Sequence, residues 1–135
     1  MPDTTINSMA QLSEVIRKEM EASELNIIQL AALSCVSRKF LGELLQQKDS
    51  VRIHKVLNVT NALGINLYPF TTEHDAGKVF SQTRERLGLD QVLAASLSNV
   101  SASFLSDIEN NKPTLHTGKV LQVIRNLNLH GPENV

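Results

Sequence analysis

The sequence predicts an all-α protein built from two tandem copies of one small domain. Only 4% of its 135 residues are aromatic, none is tryptophan and six are glycine, a composition that disfavours β-sandwiches and glycine-rich nucleotide loops. Apolar residues recur at helical spacing in several short segments. A shift of 64 residues aligns 13–65 with 77–129 without a gap, and 16 of the 53 aligned positions are identical. Most of these identities are apolar, as two copies of one core require.

The first copy is expected to occupy residues 9–70 and to contain four or five short helices. Its first helix carries an apolar stripe that ends near Ser23, and its second spans about 26–34. Ser37 is expected to cap the third helix, because a serine side chain accepts a hydrogen bond from the backbone at the start of a helix. Gly64 is expected to end the fourth helix.

The second copy is expected to occupy residues 78–130 and to repeat this plan. Its four helices are expected at 79–87, 90–98, 101–110 and 117–127. Between the copies, residues 65–70 are apolar and include a proline, which predicts a short extended or β segment. Residues 71–77 are expected to form a linker, and residues 131–135 a tail.

In each copy a short helix is followed by a tight turn and by a second helix that begins at a serine. This is the helix-turn-helix arrangement, in which the second helix enters the major groove of DNA. The glycine usual in such a turn is replaced by Cys35 and by Asn99. Asparagine tolerates a left-handed backbone, whereas cysteine would be strained there or would require another turn.

The single cysteine excludes an intrachain disulfide and a zinc site with several thiolate ligands. It favours a reducing compartment, and the N-terminal sequence does not resemble a signal peptide, so a cytoplasmic protein without a membrane span is expected. Cys35 itself is expected to be a small buried hydrophobic residue.

The charge of the chain is balanced overall but uneven along it. The formal net charge is −1, which does not by itself indicate a nucleic-acid partner. Residues 36–56 nevertheless contain five basic and two acidic side chains. This local excess predicts a positive face on the first copy.

Several motifs carry a resemblance to a known family. They are LAALSCVSRKFLGEL in the first copy and LAASLSNVSASFLSDIENNKPTLHTGKVLQVIRNLNL in the second. Both resemble the Xre/Cro (lambda-repressor-like) helix-turn-helix family, and the first copy is most similar to the HipB-type antitoxin subgroup. The resemblance implies domains of about five helices that bind operator DNA, usually as dimers, and often repress their own operon.

The resemblance also assigns DNA-contacting positions. In the first copy the base-facing positions are Ser37, Arg38, Lys39, Gly42 and Glu43, and in the second they are Ser101, Ala102, Ser103, Ser106 and Asp107. Family members contact phosphate through a glutamine and an asparagine, which match Gln91 and Asn110 in the second copy. The first copy has Ile27 and Gln46 at these two places.

The two copies are therefore expected to differ in strength. Arg38 and Lys39 can pair with guanine edges and phosphates, so the first copy is expected to be the main reader and the second a weaker reader or backbone clamp. Further candidates for phosphate contact are Gln46, Lys48, Arg52 and Lys55 in the first copy and Lys112 in the second. The three first-copy cations either bind phosphate or merely keep their helix solvated.

Two functions of different classes fit these features. One is a sequence-specific DNA-binding repressor, such as the antitoxin-type autoregulator of a HipA-like toxin operon. The alternative is a protein-interaction module that binds or neutralises a partner protein, which the small or acidic residues Ala102, Ser103 and Asp107 favour for the second copy. No enzyme, catalytic residue, metal or cofactor is predicted, because no acid, base, nucleophile or ligand cluster is recognised.

The predicted partners are double-stranded operator DNA, a HipA-like kinase and a second copy of the chain. Residues 65–70 and 127–135 are the candidate dimerisation strands. Since the two copies follow each other head to tail in the sequence, they need not match a palindrome.

Overall fold

The structure, a computed structural model, describes residues 5–129, and in this part of the chain it contains eight α-helices and no strand. The all-α prediction is confirmed for these residues. In chain order the helices are α1 (Met9–Ala22), α2 (Ile27–Ser34), α3 (Arg38–Leu45), α4 (Ile53–Ala62), α5 (Ala76–Arg86), α6 (Gln91–Leu97), α7 (Ala102–Glu109) and α8 (Thr117–Asn126). None of these helices has the length and apolar character needed to cross a membrane. The predicted tail at 131–135 and His130 lie outside the described residues.

The helices and turns repeat at the spacing of 64 residues found in the sequence. The bounds of α7 and α8 are those of α3 and α4 shifted by 64 residues. Eight described residues have a φ between 51° and 74°. They form four pairs, each 64 residues apart: Glu24 and Gly88, Cys35 and Asn99, Gln47 and Asn111, and Gly64 and Asn128. Both copies therefore make the same left-handed turns at equivalent positions.

Side-chain caps fix where the helices begin. Ser37 Oγ accepts a hydrogen bond from the backbone N–H of Phe40 at 2.9 Å, and Ser101 Oγ accepts one from that of Phe104 at 3.0 Å. The predicted cap at Ser37 is confirmed. Asn26 caps α2 in the same way. Each cap satisfies a backbone N–H that the helix itself leaves without a partner.

A hydrophobic core runs through both copies. Helix α2 packs against α3 and α4, and α7 packs against α5 and α6. Ala31 and Ala95, at equivalent positions in α2 and α6, are 3% and 1% exposed, and their small side chains let the neighbouring helices approach closely. The largest fully buried side chains are Phe80, Leu12, Ile16, Leu30, Leu41, Leu44, Leu67, Leu105, Ile108, Leu121, Ile124 and Val56.

The two copies contact each other through the loops that precede α4 and α8. The backbone N–H of Ile53 donates to the carbonyl of Leu115, and that of Thr117 donates to the carbonyl of Val51, both at 2.9 Å. In the alignment of the copies, Ile53 corresponds to Thr117 and Val51 to Leu115. The contact therefore occurs twice, with the roles of the two copies exchanged.

The prediction of a β segment at 65–70 is wrong. The backbone N–H of Phe70 donates to the carbonyl of Leu67 at 2.6 Å, and that of Thr71 donates to the carbonyl of Pro69 at 2.9 Å. The segment thus turns back on itself and pairs with no strand in the described part of the chain. The segment is apolar because its side chains pack into the core, where Leu67 is only 1% exposed.

Helix α5 begins at Ala76, earlier than the sequence predicted, so the last two residues of the expected linker 71–77 belong to a helix. Asp75 is its N-cap. Glycine is required at Gly77, because a β-carbon there would overlap the backbone carbonyl of Glu109 at the end of α7. The start of α5 is therefore packed against the second copy.

The turn between α2 and α3 contains a strained cysteine. Cys35 has φ 56° and ψ 39°, the left-handed conformation that the sequence suggested would strain it. Its side chain is exposed, so the prediction of a buried hydrophobic residue is wrong. The reason is that the left-handed turn lies at the surface, while the next residue, Val36, packs against the core.

Replacing Cys35 with asparagine is expected to raise the free energy of unfolding by about 1 kcal/mol, because asparagine adopts this backbone conformation more readily. Urea unfolding followed by circular dichroism measures the change. The matched control is Asn99→Cys at the equivalent turn, which is expected to destabilise by a similar amount. An unchanged midpoint in both variants would show that the turn is not strained by cysteine.

Candidate nucleic-acid interface

Helix α3 has one buried face and one face open to solvent. Phe40, Leu41 and Leu44 are buried against the core. Arg38 and Lys39, in the first turn of α3, are exposed. The buried face and the cap at Ser37 together fix the direction in which these two side chains project into solvent. The hydroxyl oxygen of Ser37 itself accepts the capping hydrogen bond from Phe40.

Arg38 and Lys39 have no ion pair and no side-chain hydrogen bond within residues 5–129. Glu43, one turn further along α3, is instead bound by Lys48. The hydrogen bond from Lys48 holds the pKa of Glu43 below its usual value, so this side chain is a carboxylate at neutral pH. The charges of Glu43 and Lys48 offset each other, and the first turn of α3 keeps a net charge of about +2 from its two cations.

Three other residues predicted to contact DNA in the first copy lie outside the first turn of α3. Gln46 is exposed at the end of α3. Arg52 donates from its guanidinium to the carbonyl of Thr114 at 2.7 Å, so it joins the two copies. The ammonium of Lys55 lies 5.8 Å from the centre of the Phe40 ring. Arg52 and Lys55 therefore have structural contacts that the sequence did not indicate.

The equivalent helix of the second copy, α7, has the same construction with a different charge. Ser101 caps it, Ala102 is half-buried and Ser103 is exposed. The carboxylate of Asp107 lies 3.6 Å from the ammonium of Lys112, which repeats the pair of Glu43 and Lys48 in the first copy. Because Ala102 and Ser103 stand where α3 has Arg38 and Lys39, the first turn of α7 carries no cation. The remaining positions of this face, Gly42 in α3 and Ser106 in α7, are both half-buried.

The two predicted phosphate-contacting residues of the second copy are held by the protein. Gln91 Nε2 donates to the carboxylate of Glu109 at 3.2 Å, and Asn110 Nδ2 donates to the carbonyl of Ser106 at 2.9 Å. Asn110 Nδ2 also lies 3.4 Å from Ser106 Oγ, so both of its donor hydrogens face Ser106, and each of the two amides keeps its oxygen as an acceptor. Asn110 is exposed, whereas Gln91 is half-buried at the start of α6.

Gln91 belongs to an ion-pair network that sequence reasoning missed. Arg84 in α5 donates two hydrogen bonds of 3.0 Å to Glu109, and the two side chains are only 13% and 8% exposed. The bonds from this guanidinium to the carboxylate raise the pKa of Arg84 above its usual value. The pair holds the end of α7 against α5, and the bond from Gln91 ties the start of α6 to the same carboxylate.

The first copy builds the same place from apolar side chains. The positions equivalent to Arg84, Gln91 and Glu109 are Met20, Ile27 and Leu45. The repeat alignment carries a signal for this network, because three positions that are neighbours in space are all apolar in the first copy and all polar in the second.

A second exposed feature lies on α2 and α6. Ile28 and Leu33 are each 61% exposed, and their equivalents Val92 and Leu97 are 69% and 59% exposed. Both copies thus expose large apolar side chains at equivalent positions, and such side chains favour contact with another molecule where they adjoin each other.

No three histidine, cysteine, aspartate or glutamate side chains within residues 5–129 come together as a metal site requires. Comparison of the chain with known protein families, with curated proteins and with solved structures finds no match.

Proposed function

We propose that the protein is a sequence-specific DNA-binding transcriptional repressor with two lambda-repressor-like helix-turn-helix domains, formed around α2–α3 and α6–α7. The observation that carries this proposal is the first turn of α3. It presents Arg38 and Lys39 to solvent with no partner in the described chain, on a helix that is capped at one end and buried along its opposite face.

These two side chains suit the edges of bases in the major groove. An arginine guanidinium forms two parallel hydrogen bonds to O6 and N7 of guanine, and a lysine ammonium can reach the same atoms. The turn before α3 and the cap at Ser37 fix their backbone, so binding has to order only the two side chains. Exposed Gln46 at the far end of α3 is available to phosphate oxygens.

The resemblance to HipB-type antitoxins supplies a regulatory context. On this basis we propose that the protein binds DNA upstream of its own gene and represses a toxin operon whose second product is a HipA-like kinase. It would act in the cytoplasm and needs no cofactor.

Fluorescence anisotropy tests the proposal, with the purified protein, a duplex from upstream of its own gene and a scrambled duplex of equal length. We expect tighter binding to the upstream duplex, and a log–log salt slope of several units that counts the phosphates engaged. Equal affinity for both duplexes would overturn sequence-specific recognition, and binding to neither would overturn DNA binding.

The exposed apolar residues of α2 and α6 favour the second candidate function, a protein-interaction module. If this surface holds a HipA-like kinase, replacing Leu33 and Leu97 with serine should weaken binding to the purified kinase by at least about tenfold, measured by isothermal titration calorimetry. Operator affinity of the same variant should remain unchanged. Unchanged affinity for the kinase would exclude this surface as its binding site.

A further inference from the structure

The contacts between the two copies have the reciprocity of a two-fold axis. Besides the bonds at the starts of α4 and α8, the backbone N–H of His54 donates to the carbonyl of Pro113 at 3.1 Å, and that of Gly118 donates to the carbonyl of Asp49 at 3.0 Å. His54 is equivalent to Gly118, and Asp49 to Pro113. When residue i of one unit contacts residue j of the other and j contacts i, the two units are related by a two-fold rotation.

The residues at the centre of this contact agree with such an axis. Arg52 and His116, which are equivalent, pair with each other in an antiparallel bridge. An antiparallel bridge between a residue and its own equivalent places a two-fold axis close to that pair. The chain thus contains within itself the arrangement that a symmetric dimer forms from two chains.

The contact is close and specific rather than a loose tether. Thr117 Oγ1 donates to the carbonyl of Val51 at 2.7 Å in a buried hydrogen bond. A β-carbon at Gly118 would overlap the side chain of Asp49, so glycine is needed for the approach. A further bond joins the end of α8 to the residues before α1, where Arg125 donates to the carbonyl of Asn7 at 3.0 Å. Fixed contacts, and not the linker, therefore set the relative position of α3 and α7.

We propose that a single chain occupies one operator made of two inverted and unequal half-sites. This inference rests on the proposed DNA-binding function and adds the form of the operator and the stoichiometry. A two-fold rotation relates α3 to α7, and helices related in this way in helix-turn-helix dimers read two half-sites that are inverted with respect to each other, about one helical turn apart. The proposal differs from the expectation that head-to-tail copies need not match a palindrome, because it requires inverted half-sites.

The inequality of the half-sites follows from the first turns of the two helices. Arg38 and Lys39 of α3 correspond to Ala102 and Ser103 of α7. Helices α3 and α7 begin and end at equivalent positions. They therefore differ in the side chains that could contact bases and not in where the helix begins. The half-site beneath α3 is strongly specified, and the half-site beneath α7 is weakly specified.

The test compares the wild type with Ala102→Arg/Ser103→Lys, which gives α7 the two reading residues of α3. Binding sites are selected from a random duplex library and sequenced, and the stoichiometry of each complex is measured by native mass spectrometry. Wild type should enrich one strong half-site with one chain per duplex. The double variant should enrich the same half-site twice, in inverted orientation, about one helical turn apart.

Ser103→Lys alone, at an exposed position, replaces the double variant if thermal unfolding shows that Ala102→Arg harms the fold. Two half-sites in direct orientation, a variant profile identical to that of the wild type, or two wild-type chains per operator would overturn the inference and leave the DNA-binding function standing. Enrichment of no sequence by the wild type would instead remove the function on which the inference rests.

Discussion

Replacing Arg38 and Lys39 with alanine is expected to lower operator affinity by about 100-fold or more. Each cation that contacts a guanine contributes about 1–3 kcal/mol of discrimination, and about 1.4 kcal/mol corresponds to a factor of ten. Both side chains are exposed and have no ion-pair partner in the described chain, so the fold should keep its stability. The double variant gives α3 a first turn that resembles the neutral first turn of α7.

The matched control removes the same charge from another helix. Lys78 and Arg86 are exposed on α5, and replacing both with alanine also lowers the net charge by two. Anisotropy titrations at one salt concentration should show a small loss for this control and the large loss for the α3 variant. Equal losses would show that only the total charge of the protein matters, and that α3 does not read the operator.

Replacing Glu109 alone with leucine should lower the free energy of unfolding by about 2 kcal/mol, because it leaves the half-buried guanidinium of Arg84 with only the carbonyl of Leu89 as a partner. The first copy already shows the apolar alternative in Met20, Ile27 and Leu45. The triple variant Arg84→Met/Gln91→Ile/Glu109→Leu, which installs these residues in the second copy, should therefore recover most of the lost stability.

Urea unfolding of the single, triple and wild-type proteins measures this coupling. We expect the triple variant to be more stable than the single variant even though it carries two more substitutions. A triple variant that is less stable than the single one would show that the network stabilises the second copy beyond what apolar packing supplies. Arg84→Met alone serves as the control, since it exposes the converse cost of an unpaired carboxylate.

The sequence was sufficient for the elements whose signal is local. The bounds of α3 and α4 follow from a serine cap, from helical spacing of apolar residues and from the recurrence of both at 64 residues. Helix α5 begins at Ala76, three residues before the predicted start at 79, because Asp75 caps it. The β segment at 65–70 was wrong because an apolar run that contains proline can be buried in a turn as well as in a sheet.

The contacts between the two copies could not be predicted from the sequence. The bonds between the two copies join backbone atoms of Val51 and Ile53 to those of Leu115 and Thr117, and backbone hydrogen bonds do not depend on side-chain identity. No sequence motif therefore indicates the two-fold relation between the copies. Of the candidate site residues, Arg38 and Lys39 lie exposed as a DNA-reading role requires, whereas Arg52 is engaged between the copies.

We propose that α3 reads bases through its first two residues, Arg38 and Lys39. A double-mutant cycle tests it by combining the Arg38→Ala/Lys39→Ala variant with an operator in which guanines of the strong half-site are replaced by 7-deazaguanine, which lacks the N7 acceptor. The replacement should weaken wild-type binding by about tenfold or more and leave the affinity of the variant unchanged. An equal loss for both proteins would contradict base reading by α3 and assign its cations to phosphate contact alone.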